Sequence, residues 1–303
     1  RIGASAVCRV EHMIDFGSTP PVAALLPTDS PHLSNYRRVY RSSEKRVGTP
    51  DDATQEPSPE DQLATYLETY DRLGVEHVII KARDCETTFG LKVRNEDIAE
   101  FCQTHGPRFI GFAAVDPHKG MEALRDLEFA VKELGLRGLN LQCFEHGLAI
   151  NDAKLFPLYA KCIELDIPVN IHTSINFSDK TLMEYGHPKG LDAVMVHFPE
   201  LVAIAAPPGW PWVHELLGVA WRRPNVYIGM VAVRPKYLEV AHSGYEPLVQ
   251  YGNSVLQDRV VFGSAWPMQP VEQAIKEVRA LPLKDDVKEK WLGGNARRLL
   301  KLS

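Results

Sequence analysis

The chain has 303 residues, 45% of them hydrophobic and 24% charged, which is enough for one large core or two medium ones and excludes a disordered or fibrous polymer. Its formal charge of -5 mixes both signs, with no basic block and no cationic stripe interleaved with aromatics, so nucleic acid is not an expected partner. No apolar run approaches the roughly 20 residues of a membrane span. Five scattered cysteines with no Cys-x-x-Cys pair suggest neither a disulfide framework nor a zinc knuckle, so a cytoplasmic protein with no membrane partner is expected.

Along the chain, eight short β-branched or apolar runs alternate with amphipathic stretches: Met13 to Phe16, His77 to Ala82, Phe109 to Val115, Leu139 to Gln142, Val169 to His172, Val202 to Ala205, Val226 to Met230 and Val260 to Gly263. Eight strand-then-helix units are the count of a (β/α)8 TIM-like barrel. Several runs are continuously apolar, as parallel strands covered on both faces require. An open doubly wound sheet is the rival architecture, but no Gly-x-Gly-x-x-Gly turn follows any run.

The first helix is well marked. Ser58 is a natural N-cap, Pro59 fits the first helical position and Glu60 and Asp61 suit the first turn. Leu63, Tyr66, Leu67, Tyr70 and Leu73 share one face, and Gly74 supplies the stop. Met121 to Leu134, Lys154 to Leu165 and Trp212 to Trp221 follow the same logic. The stretch 24–57 interrupts the rhythm, directly after the first strand, and is rich in Pro, Ser, Thr, Asp and Arg. Within a single domain spanning 1–303 it is either a long loop over the barrel mouth, with Leu33, Tyr36, Tyr40, Arg37 and Arg38 able to fold over a ligand, or a surface insertion.

Several separate segments carry a family resemblance. They are Phe109 to Pro117, Gly135 to Leu139, Phe198 to Leu201, Gly209-Trp210-Pro211-Trp212, Pro224 to Ile228, Val260 to Pro267 and Gly293 to Leu299. Together they resemble the amidohydrolase superfamily in its amidohydrolase 2, decarboxylase-like branch, which includes aminocarboxymuconate semialdehyde decarboxylase and gamma-resorcylate decarboxylase. The resemblance implies a TIM-like barrel, commonly a homodimer or larger, and a divalent cation held by two histidines on the first strand, one on the fifth, often one on the sixth, and an aspartate on the eighth.

Carried over position by position, that ligand set is mostly gone. The first-strand Asp-x-His-x-His is Asp15-Phe16-Gly17-Ser18-Thr19, the sixth-strand histidine is Pro207 and the eighth-strand aspartate is Ala265, while the fifth strand keeps His172. A lone imidazole with a hydroxyl cannot hold zinc against water, so a site without metal or other cofactor is expected. An engineered exchange would account for Ala265 alone but hardly for Gly17, Thr19 and Pro207 together.

The residues left at the strand ends define the candidate site. His172 is the imidazole available for proton transfer, with an ordinary pKa near 6.5; the alternative is a relic held in the pocket wall. Lys81, Arg83 and Asp84 follow the second strand, where a cation could orient a carboxylate or stabilise an oxyanion; an Arg–Asp ion pair is the alternative. Asn140 and Gln142 share one side of the fourth strand and point either into a pocket or into a satisfied polar layer. Ser18, Thr19, Asn176, Trp210, Arg234, Ser264 and Trp266 complete the candidate substrate-binding set. No Gly-x-Ser-x-Gly elbow surrounds a serine.

Two expectations result. The first is a metal-independent enzyme acting on a small cyclic or aromatic, carboxylated or lactone-like molecule, as a lyase or decarboxylase before an isomerase, cyclase or hydrolase. The second is a catalytically silent homologue serving as a binding or regulatory subunit.

Overall fold

The computed structural model describes residues 12–26, 31–36 and 58–302. Most of the 24–57 insertion, including Arg37, Arg38 and Tyr40, therefore lies outside the described residues. So does Cys8.

Eight parallel strands stand in chain order around one axis: β1 (Met13–Asp15), β2 (Val75–Lys81), β5 (Phe109–Phe112), β6 (Leu139–Leu141), β7 (Val169–Ile171), β8 (Ala203–Ala205), β9 (Val226–Met230) and β10 (Val260–Phe262). Continuous ladders join β1-β2-β5 and β6-β7-β8-β9-β10. Two seams join these ladders into a ring. At one, Ala113 bridges Leu139 and the Asn140 N–H donates to Ala113 O at 2.7 Å. At the other, Ser18 bridges Trp266 and the Phe16 N–H donates to Phe262 O at 2.8 Å. The chain is thus a TIM barrel, as its strand count implies. No helix of the described residues is long and apolar enough to cross a membrane.

The remaining strands, β3 (Arg83–Cys85) and β4 (Leu91–Val93), form an antiparallel hairpin outside the ring. It directly follows β2 and was not expected from the sequence. Arg83 and Asp84 belong to this hairpin and not to the barrel strand before it.

The core is layered. Ile14, Phe16, Ile79, Ile110, Phe112, Ile204, Tyr227, Val231 and Val261 fill the barrel interior as one apolar cluster, and a larger cluster packs the outer strand faces against the helices. Interior positions nearer the mouth turn polar at Asn140, Asn170 and His172, all buried. The helix Pro59–Leu73 starts as its cap signals require: Ser58 Oγ accepts the Asp61 N–H at 3.1 Å, and Gly74 ends it at φ 67°. Its apolar face drives Tyr66 and Tyr70 into the shell beside β1, where their hydroxyls reach the first strand's polar residues.

Candidate functional site

The mouth is built from the segments that leave the C-terminal end of each strand. Asp15 ends β1 fully buried and accepts four hydrogen bonds: Gly17 N–H at 3.2 Å, Tyr70 O–H at 2.8 Å, Ser264 N–H at 2.8 Å and Ser264 O–H at 2.6 Å. Burial pushes its carboxyl upward, and the Ser264, Tyr70 and Gly17 donors oppose that rise. Ser18 Oγ lies 2.9 Å from both the Tyr66 and Tyr70 hydroxyls. The hydroxyls of Ser18 and Ser264 are therefore engaged with Asp15 and the two tyrosines, tying the first strand end to the last. Thr19 joins this seam through its backbone, its N–H donating to Trp266 O at 3.0 Å, and the Trp266 ring leans on Tyr66 at 4.9 Å.

Above this seam lies the space where the family's first metal-binding histidine would project. A Cβ on Gly17 would meet Val231 Cγ1 at 3.1 Å and the Lys81 Nζ at 3.5 Å, and a Cβ on Gly263 would meet Val231 Cγ2 at 2.7 Å. Val231 thus seats itself between two glycines, closer than a β-carbon on Gly263 would allow and tight against one on Gly17. Lys81, at the end of β2, holds its ammonium 5.2 Å above the Phe16 ring and makes no hydrogen bond or ion pair among the described residues. Burial lowers its pKa to about 8, against the pull of the Asp15 charge.

A second cluster occupies the opposite part of the mouth. Arg83 Nε donates to Glu145 Oε2 at 2.8 Å, and its Nη2 pairs with Glu145 Oε1, making a bidentate contact. His32 Nε2 lies 3.2 Å from the same Oε1, and its ring stacks on Phe89 at 4.0 Å. Glu145 is held down to about 2: burial raises it, but the Arg83 charge and hydrogen bonds, with those of His32, more than offset that. Arg83 is raised in turn, burial being outweighed by Glu145. Tyr36 packs near Phe144 and edge-on to Phe177, so residues 31–36 of the insertion lie over this part of the barrel.

His172 follows β7 and faces this cluster. Its ring meets Phe144 edge-on at 4.7 Å, and its Nδ1 is buried with no hydrogen-bond partner among the described residues. Burial lowers its pKa to about 4, the charges of Glu145 and Arg83 acting in opposite directions. This corrects the expectation of an unperturbed imidazole near 6.5: the ring is neutral at physiological pH. It takes a proton only if a ligand brings negative charge beside it.

The other candidates divide. Asn140 donates to Ala82 O at 2.9 Å, and its Oδ1 accepts from Gln142 at 3.1 Å and Asn170 at 2.9 Å, so these amides form a linked layer at the mouth. Asp84 is buried against Lys92 at 3.0 Å within the hairpin. Asn176 shapes its own loop, donating to Leu182 O at 3.0 Å, and Trp210 is 38% exposed near it on the rim. Arg234 pairs with Glu277 beside a cleft of about 410 Å³ lined by Met268, Gln269 and Lys276, with none of the residues around His172. Glu145 and His32 were not among the expected site residues; nothing local marks them, since each acquires its partners from 62 or more residues away.

The donors that the family's metal would require are largely missing. Gly17, Pro207 and Ala265 offer no donor side chain, and Gly17 is hemmed by Val231 and an ammonium. Ala265 has φ at 54°, a left-handed conformation that Asp and Asn tolerate better than Ala. Elsewhere among the described residues, His32–Cys85–Glu145 and Asp116–His118–His146 each bring three donor atoms within 4.8 Å of one another. In the first, Arg83 already takes both Glu145 oxygens and burial keeps the Cys85 thiol protonated. In the second, the Lys154 ammonium lies 3.2 Å from His118 Nδ1, while Asp116 accepts the backbone N–H groups of Thr87 and His118. The donors at the barrel mouth do not fit a divalent cation, and both further clusters already hold a cationic side chain.

Fold and strand-end site together define an amidohydrolase-type barrel. The amidohydrolase family model matches residues 43–302, and the chain belongs to that family, in its amidohydrolase 2 branch. A 2-amino-3-carboxymuconate-6-semialdehyde decarboxylase of Dictyostelium discoideum is 30% identical over 78 residues, a match spanning 26% of this chain and only 22% of that relative. Among solved structures, a TIM-barrel protein of Bordetella bronchiseptica described as uncharacterized shares 29% identity with a TM-score of 0.78, covering 96% of this chain and 98% of that one. A dihydroxybenzoic acid decarboxylase of Polaromonas, solved with bound manganese and 2-nitroresorcinol, shares 17% identity with a TM-score of 0.62, covering 96% and 97%; at that identity the likeness is one of fold.

Proposed function

We propose that the chain is a metal-independent enzyme acting at the barrel mouth on a small cyclic or aromatic, carboxylated or lactone-like molecule, with decarboxylation or a related lyase reaction first. Isomerisation, cyclisation and hydrolysis come next. The observation that carries this reading is His172: an inward imidazole whose buried Nδ1 has no partner among the described residues, set between Phe144 and the Arg83–Glu145 pair. An unpaired buried polar atom is costly unless a ligand completes it. Arg83 commits Nε and Nη2 to Glu145 and leaves Nη1 outside the pair, available to an incoming carboxylate. That anion raises the proton affinity of His172, and Asn140 with Gln142 presents the amide surface beside it.

The chemistry printed for the relatives, decarboxylation of carboxylated semialdehydes and aromatics, supports the order of reaction types. The test is a panel of aromatic and cyclic acids assayed for carbon dioxide release, with His172→Ala as the control variant. It is expected to abolish turnover while leaving the melting curve nearly intact; retained turnover removes His172 from the mechanism. We further propose a cytoplasmic homodimer, a reading supported by the four free cysteines among the described residues and by the family resemblance. Its solution mass is the check.

A silent regulatory homologue is the second reading. It is favoured by the pairing of Arg234 with Glu277 and by the hydrogen bonds that Gln142 and Asn170 donate to Asn140, which occupy much of the polar surface at the mouth. It predicts no turnover by the chain alone and a change in the activity of a metal-bearing homologue on mixing.

A further inference from the structure

Decarboxylation needs somewhere for the electron pair of the broken bond to go. In a site whose donors do not fit a metal, either the substrate supplies that sink or a side chain does. Lys81 is the group positioned to supply it. It projects from the end of β2, its Nζ stands 3.5 Å from where a Gly17 side chain would begin, and no hydrogen-bond or ion-pair partner among the described residues holds it. The two arginines singled out at the strand ends are each committed at least in part: Arg83 to Glu145 and Arg234 to Glu277.

We propose that Lys81 is a nucleophilic amine that forms an imine with a carbonyl-bearing acid, the substrate class being a β-keto acid or its cyclic equivalent. The inference rests on the reading of the barrel mouth as a site for small carboxylated molecules. The neutral Nζ adds to the carbonyl carbon, and the carbonyl oxygen takes one proton from the amine and one from solvent and leaves as water, giving a protonated imine. The bond from the α-carbon to the carboxylate then breaks; carbon dioxide leaves and the electron pair moves through the α-carbon to the imine nitrogen, forming an enamine. The α-carbon takes a proton, which His172 carries in the mechanism proposed for the mouth, water adds back, and the C–N bond breaks to release the ketone and regenerate the amine.

The environment enlarges the share of free amine. Burial above the Phe16 ring lowers the Lys81 pKa to about 8, so far more of it is unprotonated at neutral pH than of an exposed lysine near 10.5. Gly17 places no side chain against the amine, and Val231 beside that glycine makes the neighbouring wall apolar.

The test is borohydride trapping with acetoacetate at neutral pH, read by intact mass and peptide mapping. One reduced adduct per chain is expected, on Lys81, formed at least about ten-fold faster than on any surface lysine. Lys81→Met and Lys81→Arg should both lose it, while the exposed control Lys180→Met keeps it; melting curves verify that the variants fold. Labelling spread over surface lysines and unchanged in Lys81→Met overturns the proposal. Because trapping needs no turnover, the two readings separate. An adduct at Lys81 without decarboxylation of any tested acid removes the decarboxylase reading and sustains the amine, whereas turnover retained in Lys81→Arg without an adduct does the reverse.

Discussion

The ammonium of Lys81 stands 3.5 Å from the point where a side chain on Gly17 would begin. In the resemblance drawn from the sequence, that is where a histidine would carry a metal. Here one positive charge lies beside the vacated position, and it is covalently attached to the chain.

Putting the histidine back should therefore fail. Gly17→His must displace Val231 Cγ1, which would lie 3.1 Å from the new Cβ, and crowd the Lys81 ammonium. Overpacking of this kind costs about 1–3 kcal/mol. A urea titration should show the midpoint falling by that equivalent, with no gain of zinc or manganese by the variant.

Glu145 holds the second half of the mouth together through Arg83 and His32. Glu145→Gln leaves the Arg83 cation without its counter-charge in a mostly buried place, at a cost of about 3–5 kcal/mol. The double variant Glu145→Leu with Arg83→Met should recover much of that loss, because neither charge is then stranded. Denaturant midpoints of the three proteins measure the coupling directly.

The acid limb of stability should begin early. His172 and His146 are both lowered from 6.5 to about 4 by burial. Between those values the unfolded chain binds protons that the folded chain excludes, so stability falls as pH drops from 6.5 to 4, by on the order of 2–3 kcal/mol for each ring. Glu145, lowered from 4.5 to about 2, adds a further loss as pH falls below 4.5. Urea midpoints at several pH values should flatten between 6.5 and 4 in a His172→Gln, His146→Gln double variant; an unchanged slope would mean that neither ring is held neutral.

Tyr70 donates to Asp15 and contacts Ser18 where the first and last strands meet. Tyr70→Phe removes that donor from a fully buried carboxylate and should destabilise the barrel by about 1–3 kcal/mol. Because Tyr70 makes no contact with Lys81 among the described residues, borohydride trapping at Lys81 should persist in the variant.

The barrel was largely legible in the sequence. Continuous apolar runs gave all eight ring strands to within a few residues, because a parallel strand buried on both faces has no polar partner to disguise it. Ser58 and Gly74 marked the first long helix because their signals are local. The hairpin Arg83–Cys85/Leu91–Val93 escaped notice because its strands have three residues each, too few for the alternation of Leu91, Lys92 and Val93 to stand out. At the site, loss of donors at Gly17, Thr19, Pro207 and Ala265 was readable from motif positions, whereas the Glu145–Arg83–His32 cluster was not, since ion pairs between distant loops leave no periodicity. Ser18 and Ser264 looked like ligands for substrate oxygen, yet Asp15 and two tyrosines engage both hydroxyls. Only the three-dimensional packing of Tyr66 and Tyr70 against the first strand could disclose that.

Metal content decides whether this barrel works without a divalent cation. Protein purified without chelator should contain zinc and manganese far below one equivalent per chain, and its melting temperature should not respond to chelator. About one equivalent of tightly held metal, with a melting temperature that falls when chelator strips it, would contradict the account.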